Sequence, residues 1–369
     1  MLIDGKEYRS IWLDENDKTI VRVIDQQKLP FFFDTKELSS VEDVYNAIRD
    51  MTVRGAPLIG AAGAFGMYLA TLEINSRTSL RDHLSNAARY LISCRPTAVN
   101  LYWAVNNVLE KIANISDPDL LSETALIAAL DICEAERENC RKIGEHGVRI
   151  IETISAEKKG ARVNILTHCN AGWLACVDYG TATAPIYLAR EKGIDVHVWV
   201  DETRPKNQGA RLTSWELGKA GVPYTLITDN TGGHLMQKGL VDIVIVGSDR
   251  VTRSGDAANK IGTYLKALAA FDNDIPFYVA LPSTSFDLTI SNGLNEITVE
   301  ERDPEEVTTV TGFAGGEIKS VRICPDGAQA GNWGFDITPA RLITGFITEK
   351  GICRAEEEDI KKLFSENTN

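Results

Sequence analysis

From Arg162 onward the chain repeats one pattern, a short β-branched apolar run followed by a stretch with helical periodicity. The runs are VNILTH, DVHVWV, PYTLIT, VDIVIV and PFYVAL, and they are apolar throughout instead of alternating. A strand that is apolar on both sides needs cover on both faces, and strands joined by about a dozen residues or more run parallel. The pattern therefore predicts a doubly wound α/β domain with a parallel sheet and helices on each side.

The preceding half reads differently. Ser10–Leu13 and Ile20–Ile24 flank a polar turn around Asn16 as a hairpin-like opening. Helical periodicity then covers Val41–Met51, after Ser39–Ser40 as a cap, and Leu80–Ser93, Asn100–Ala113 and Ser122–Ile154. A chain of 369 residues exceeds the roughly 250–300 at which a single core stops growing. Two domains are expected, a mainly helical one over residues 1–155 and the α/β one over 156–369.

Composition removes several function classes. A net charge of −13 leaves no global basic surface for a nucleic acid backbone, yet one pocket for a small anion needs only two or three cations. The seven cysteines, an odd number without CxxC pairs, are not a disulfide framework. The opening MLIDGKEYRSIWLDEND lacks a basic start followed by an apolar core, so no secretory signal is expected. The apolar stretch Leu58–Ala70 is short of the roughly 20 residues that span a bilayer. A cytoplasmic location follows, with no membrane partner. GxGxxG and GxxxxGK[ST] are absent, and His83, His146, His168, His197 and His234 show no metal-ligand spacing. No cofactor and no metal are expected.

In parallel sheets ligands sit beyond the carboxyl ends of the strands. There the first run ends in Cys169-Asn170-Ala171-Gly172 and the fourth in Gly247-Ser248-Asp249-Arg250. A thiol and a carboxyl above one sheet edge make a usable proton-transfer pair. Their bland alternatives are a small core residue for Cys169 and a capping residue for Asp249. His168 adjoins Cys169, but neighbours on a strand face opposite ways, so it reads as a packed or hydrogen-bonded histidine. Arg54-Gly55-Ala56-Pro57 sets a cation and free amides before a helix, a phosphate-binding arrangement. Gly60, Gly63 and Gly66 read as a small-residue face for tight packing. Arg95 offers a second cation, and Asn259-Lys260, after Asp256 as a cap, a third.

The motifs RGAPLIGAAGAFG, CRPTAVNLYWAV, THCNAGWLACVDYGTA, ETRPKNQGARLTSWEL, GSDRVTRSGDAANKIGTY and FDITPARLITGFITEKG occur in this order between about Ser10 and Ile352. In them the chain resembles the methylthioribose-1-phosphate isomerases. That family shares its fold with ribose-1,5-bisphosphate isomerases and with regulatory subunits of a translation-initiation guanine-exchange factor. The resemblance implies a dimer with a small N-terminal domain and a Rossmann-like C-terminal one. It also implies a cofactor-independent aldose–ketose isomerisation of 5-methylthioribose 1-phosphate in methionine salvage. Carried over motif by motif, it makes Cys169 and Asp249 catalytic, and makes Arg54, Gly55, Ala56, Arg95, Gln208, Asn259 and Lys260 substrate-binding.

One stretch departs from the family pattern. Where those isomerases carry Asn-Pro-Ala before FDITPA, this chain reads Asn332-Trp333-Gly334. If that loop lines the pocket it alters the group accepted at C5, so 5-deoxyribose 1-phosphate is an alternative substrate. Ribose 1,5-bisphosphate would need a further cationic cluster, which the sequence does not offer. A non-catalytic regulatory subunit is expected to lack the Cys and Asp pair, and this chain keeps both.

Overall fold

A computed structural model describes residues 1–74, 79–95 and 98–365. Contacts divide the chain into two units. One comprises residues 3–139 and 173–180, and the other residues 140–172 and 181–369, with Met1 assigned to the first and Leu2 to the second.

After the two-residue strands β1 (Leu2–Ile3) and β2 (Lys6–Glu7), the first unit forms an antiparallel sheet of β3 (Ile11–Leu13), β4 (Val21–Ile24) and β5 (Thr35–Leu38). The polar turn between β3 and β4 closes because Asp14 accepts from the amides of Asn16 and Asp17. The helices α1 (Val41–Arg49), α2 (Ala56–Leu72), α3 (Leu80–Ser93) and α4 (Val99–Ile112) follow. Ser40 caps α1 by accepting from the Asp43 amide at 3.0 Å, as the sequence predicts. Helix α2 is buried from Ala56 to Thr71, as a helix apolar all round must be. Its glycines admit close neighbours: a Cβ on Gly63 would lie 2.5 Å from Leu101, and one on Gly66 2.9 Å from Leu91. The small-residue face is thus a packing device. The long helix α5 (Pro118–Glu157) carries residues of both units, because the division falls within it.

In the second unit the five runs become β6 (Val163–Thr167), β7 (Val196–Asp201), β8 (Tyr224–Ile227), β9 (Ile243–Val246) and β12 (Phe277–Ala280). Between β6 and β9 lie α6 (Ala184–Glu191), α7 (Ser214–Lys219) and α8 (Thr231–Gln237), and α9 (Thr263–Asp272) precedes β12. All five strands pair in parallel in a seven-stranded sheet ordered β18-β17-β12-β9-β6-β7-β8, with β17 (Gly345–Thr348) parallel and β18 (Gly351–Cys353) antiparallel at one edge. Central β9 is wholly buried. The outermost strand β8 departs from the expected two-sided cover: Tyr224 and Leu226 are 38% and 47% exposed, because an edge strand lacks a neighbour.

A second, four-stranded sheet joins β10 (Arg250–Thr252), β11 (Ala257–Lys260), β13 (Phe286–Asp287) and β16 (Phe335–Thr338), and β14 (Thr309–Ala314) forms a hairpin with β15 (Glu317–Arg322).

Candidate functional site

The chain order of the large sheet reverses between β6 and β9, which pair through Ile165 with Ile243 and Leu166 with Val244. At such a reversal the loops beyond the strand ends part and leave a crevice where ligands bind. Cys169 lies just beyond β6 and Asp249 just beyond β9. The two loops touch: a Cβ placed on Gly247 would lie 2.5 Å from that of Ala171, so glycine alone admits this approach. Cys169 and Asp249 are therefore each two residues from the same contact.

Cys169 is held in a backbone conformation that side chains rarely adopt, with φ of +66°. Its amide donates to Thr203 Oγ1 at 2.8 Å, and its carbonyl accepts from Thr213 Oγ1 at 2.7 Å. Asn170 Nδ2 donates to Thr213 Oγ1 and to Glu216 Oε1, and the Tyr187 hydroxyl donates to Glu216 Oε2. Thr203 also has a positive φ, +67°. A left-handed conformation costs a residue other than glycine on the order of 1–3 kcal/mol, and it persists where surrounding bonds over-determine it.

Asp249 is half-buried, and its amide donates to the Ala258 carbonyl at 3.0 Å. This bond ties the carboxyl-bearing loop to β11, which carries Asn259 and Lys260. Both are buried; Asn259 Nδ2 donates to Thr263 Oγ1, and Lys260 Nζ donates to the Gly334 carbonyl at 2.9 Å. The expected helix start is corrected here. Asp256 accepts from the amides of Gly293 and Ala340, which open two other helical turns, and the residues directly after it form no helix: Asn259-Lys260 lies in a strand between β10 and β16. The polar composition of GDAANK masks that strand, and one of its two partners, β16, is distant in sequence.

The departing segment Asn332-Trp333-Gly334 adjoins this lysine through the Gly334 carbonyl, whereas the Trp333 side chain is 56% exposed. Gln208 is buried, and its Oε1 has no hydrogen-bond partner among the described residues. It immediately precedes a turn of π-helix, Gly209–Thr213, that ends in the threonine bound to the Cys169 carbonyl. Asp336, paired across from Asn259, accepts from the amides of Gly262 and Tyr264. Burial raises its carboxyl above the ordinary range although those two bonds oppose the shift.

His168 is buried and bonded on both nitrogens, Nδ1 to Asp201 Oδ2 and Nε2 to the Ile261 carbonyl, each at 2.9 Å. This matches its reading as a hydrogen-bonded histidine. With Asp201 and Asp229 it makes the one group among the described residues whose ligand atoms are close enough, within 4.8 Å, to hold a metal ion. Lys266 already supplies a cation there: Nζ is 3.1 Å from the same Asp201 oxygen and donates to the Asp229 carbonyl. A metal bound through Nδ1 would have to displace the Asp201 bond and sit against that ammonium. The cluster reads as a charge-compensated strut under the crevice.

In the first unit, Gly55 precedes α2 with φ of +96°, and a Cβ there would lie 2.4 Å from the Ala175 carbonyl oxygen. Arg54 is half-buried beside it, and Ala56 and Pro57 open the helix. Arg95 lies in the turn after α3, and its carbonyl accepts from Ala98, the residue before α4. Pro96 and Thr97 of that motif lie outside the described residues.

Thr203, Thr213, Glu216 and Asp336 escape sequence reasoning. Only the position of Asp201-Glu202-Thr203-Arg204 beyond a strand end signals the first of them.

An open α/β sheet with polar and nucleophilic side chains gathered at its strand reversal belongs to the ligand-binding class of such sheets. Residues 52–355 match the model of the initiation factor 2 subunit family. A protein of Desulfatibacillum aliphaticivorans named methylthioribose-1-phosphate isomerase is 56% identical over 364 residues, 99% of each chain. The crystal structure of 5-methylthioribose 1-phosphate isomerase from Pyrococcus horikoshii OT3 superposes with a TM-score of 0.84 at 38% identity, covering 98% of this chain and 97% of that one. That of translation initiation factor eIF-2B, subunit delta, from A. fulgidus gives 0.79 at 39% identity, covering 97% and 99%. The chain belongs to the initiation factor 2 subunit family, in its methylthioribose-1-phosphate isomerase branch.

Proposed function

We propose that this chain is a cofactor-independent aldose–ketose isomerase converting 5-methylthioribose 1-phosphate to 5-methylthioribulose 1-phosphate in methionine salvage. It works as a cytoplasmic homodimer whose Rossmann-like, doubly wound domain follows a smaller, mainly helical one. The observation that carries this reading is the contact of Ala171 with Gly247, which sets the loops of Cys169 and Asp249 side by side at the strand reversal.

The substrate dictates the chemistry. Phosphate esterifies its anomeric oxygen, so the ring cannot open by the free-aldehyde route. Asp249, as a carboxylic acid, protonates the ring oxygen while the C1–O bond breaks. A hydrogen then passes from C2 to C1 with Cys169 taking part, and the proton of the C2 hydroxyl returns to the Asp249 carboxylate, which leaves the ketone and restores the acid. Gln208, whose buried Oε1 lacks a partner among the described residues, accepts from a substrate hydroxyl. Phosphate binding falls to Arg54, Arg95, Lys260 and the amides of Gly55 and Ala56, and Asn259 is a further substrate contact. Holding the phosphate supplies orientation for the reacting carbons.

One bond favours a second reading. The Gly334 carbonyl accepts from Lys260, so the departing Asn332-Trp333-Gly334 segment is bonded to a residue proposed to hold the substrate, and 5-deoxyribose 1-phosphate is the alternative substrate. Parallel assays with 5-methylthioribose 1-phosphate, 5-deoxyribose 1-phosphate and ribose 1,5-bisphosphate separate these readings through kcat/KM. The first compound is expected to rank highest. Preference for another overturns the substrate, and inertness towards all three overturns the enzyme in favour of a regulatory subunit.

A further inference from the structure

Thr203 combines a β-branched side chain with a φ of +67°. Such residues are outliers in the left-handed region, because the branch adds to the clash of Cβ with the backbone. Glycine or asparagine would hold the same backbone with less strain, but neither carries a hydroxyl on Cβ. What distinguishes the side chain present is that hydroxyl. Fully buried, it accepts from the Cys169 amide at 2.8 Å and donates to the Asp201 carbonyl at 3.1 Å. The strained backbone is itself clamped, since Asp229 accepts from the amides of Thr203 and Arg204 through its two oxygens, each at 2.7 Å.

The geometry points to Thr203 as a positioning residue for the reaction: its hydroxyl, fixed by the Asp229 clamp, holds the Cys169 backbone in the left-handed conformation that sets the thiol's direction. This rests on the proposed role of Cys169. The clamp belongs to the loops after β7 and β8, so three strand ends are joined under one sulfur. Thr213 holds the other side of the same residue through the Cys169 carbonyl, but its own backbone is helical and unstrained. Cys169 and Thr203, joined by this hydroxyl, are both left-handed, as is Asn207 further along the Thr203 loop.

Two substitutions separate the hydroxyl from the shape. Thr203→Val keeps the branch and removes the acceptor for the Cys169 amide. Thr203→Ser keeps the hydroxyl and removes the branch. In the full-length protein, hydrogen exchange of the peptide containing Cys169 should accelerate in Thr203→Val and return to the wild-type rate in Thr203→Ser. Turnover of 5-methylthioribose 1-phosphate should fall about 10- to 100-fold in Thr203→Val with KM changed less than about twofold, the scale expected when a reacting group is misplaced, and should recover in Thr203→Ser. Unchanged exchange in Thr203→Val, wild-type kcat in that variant, or equal loss in both variants overturns the proposal. Wild-type turnover reports separately on the function: if it is absent, that reading falls, and the exchange contrast alone decides whether the hydroxyl holds Cys169.

Discussion

Gly55 joins two demands that no other residue meets: a φ of +96°, and a Cβ direction pointing 2.4 Å from the Ala175 carbonyl oxygen. The obstacle is backbone, which cannot rotate aside as a side chain does. Gly55→Ala should destabilise the protein by about 2–3 kcal/mol and lower the melting temperature by several degrees. Calorimetry checks this, and an unchanged midpoint would show that the α2 entry relaxes freely. Residues of this kind differ in how visible they are in sequence. Cys169 and Asp249 are legible because a parallel sheet gives its strand ends a functional meaning before any coordinate is known. Thr203 is not, since a threonine forced into the left-handed region looks like any other loop threonine. Its role depends on an amide brought from 34 positions away.

Among the elements, Leu80–Ser93 is a helix over the residues its periodicity predicts, because Ser79 caps it and its apolar face packs inward. The strands of the second unit's small sheet are less legible. Two of their three pairings span long sequence separations, and their side chains include Asn259, Lys260 and Asp336. The segment leading to Gly334 is fastened by a charged cluster in which Arg302 binds Glu300 and Glu306, and Asn332 donates to Glu306. Burial alone would raise the Glu306 carboxyl, but the Arg302 and Asn332 bonds overcome it and bring the group down to about 2. A depressed carboxyl adds stability above its unfolded value and loses it as pH falls through the folded one. With solvent screening discounted, Glu306→Gln should cost about 1 kcal/mol at neutral pH. Urea unfolding from about pH 6 to about pH 3.5 should show that gap shrinking. A constant gap across the range would contradict the assignment.

For the whole molecule, the decisive feature is the order in which the strands lie. The run pattern predicts a parallel sheet, but strand order is a tertiary property, and the reversal between β6 and β9 appears only in the fold. Once it is known, the thiol and the acid, 80 positions apart, fall on neighbouring loops. Within the described residues no helix is long and apolar enough to cross a membrane.

If Asp249 and Cys169 serve successive steps of one reaction, the slower impaired step limits turnover and their losses do not multiply. The most direct measurement is kcat on 5-methylthioribose 1-phosphate for Cys169→Ala, Asp249→Asn and the double variant, with folding verified by circular dichroism. Each single variant should lose a factor of about a hundred or more, and the double variant should fall about as far as the worse of the two. Near-normal turnover in either single variant, or fully multiplied losses in the double, would contradict a shared catalytic centre.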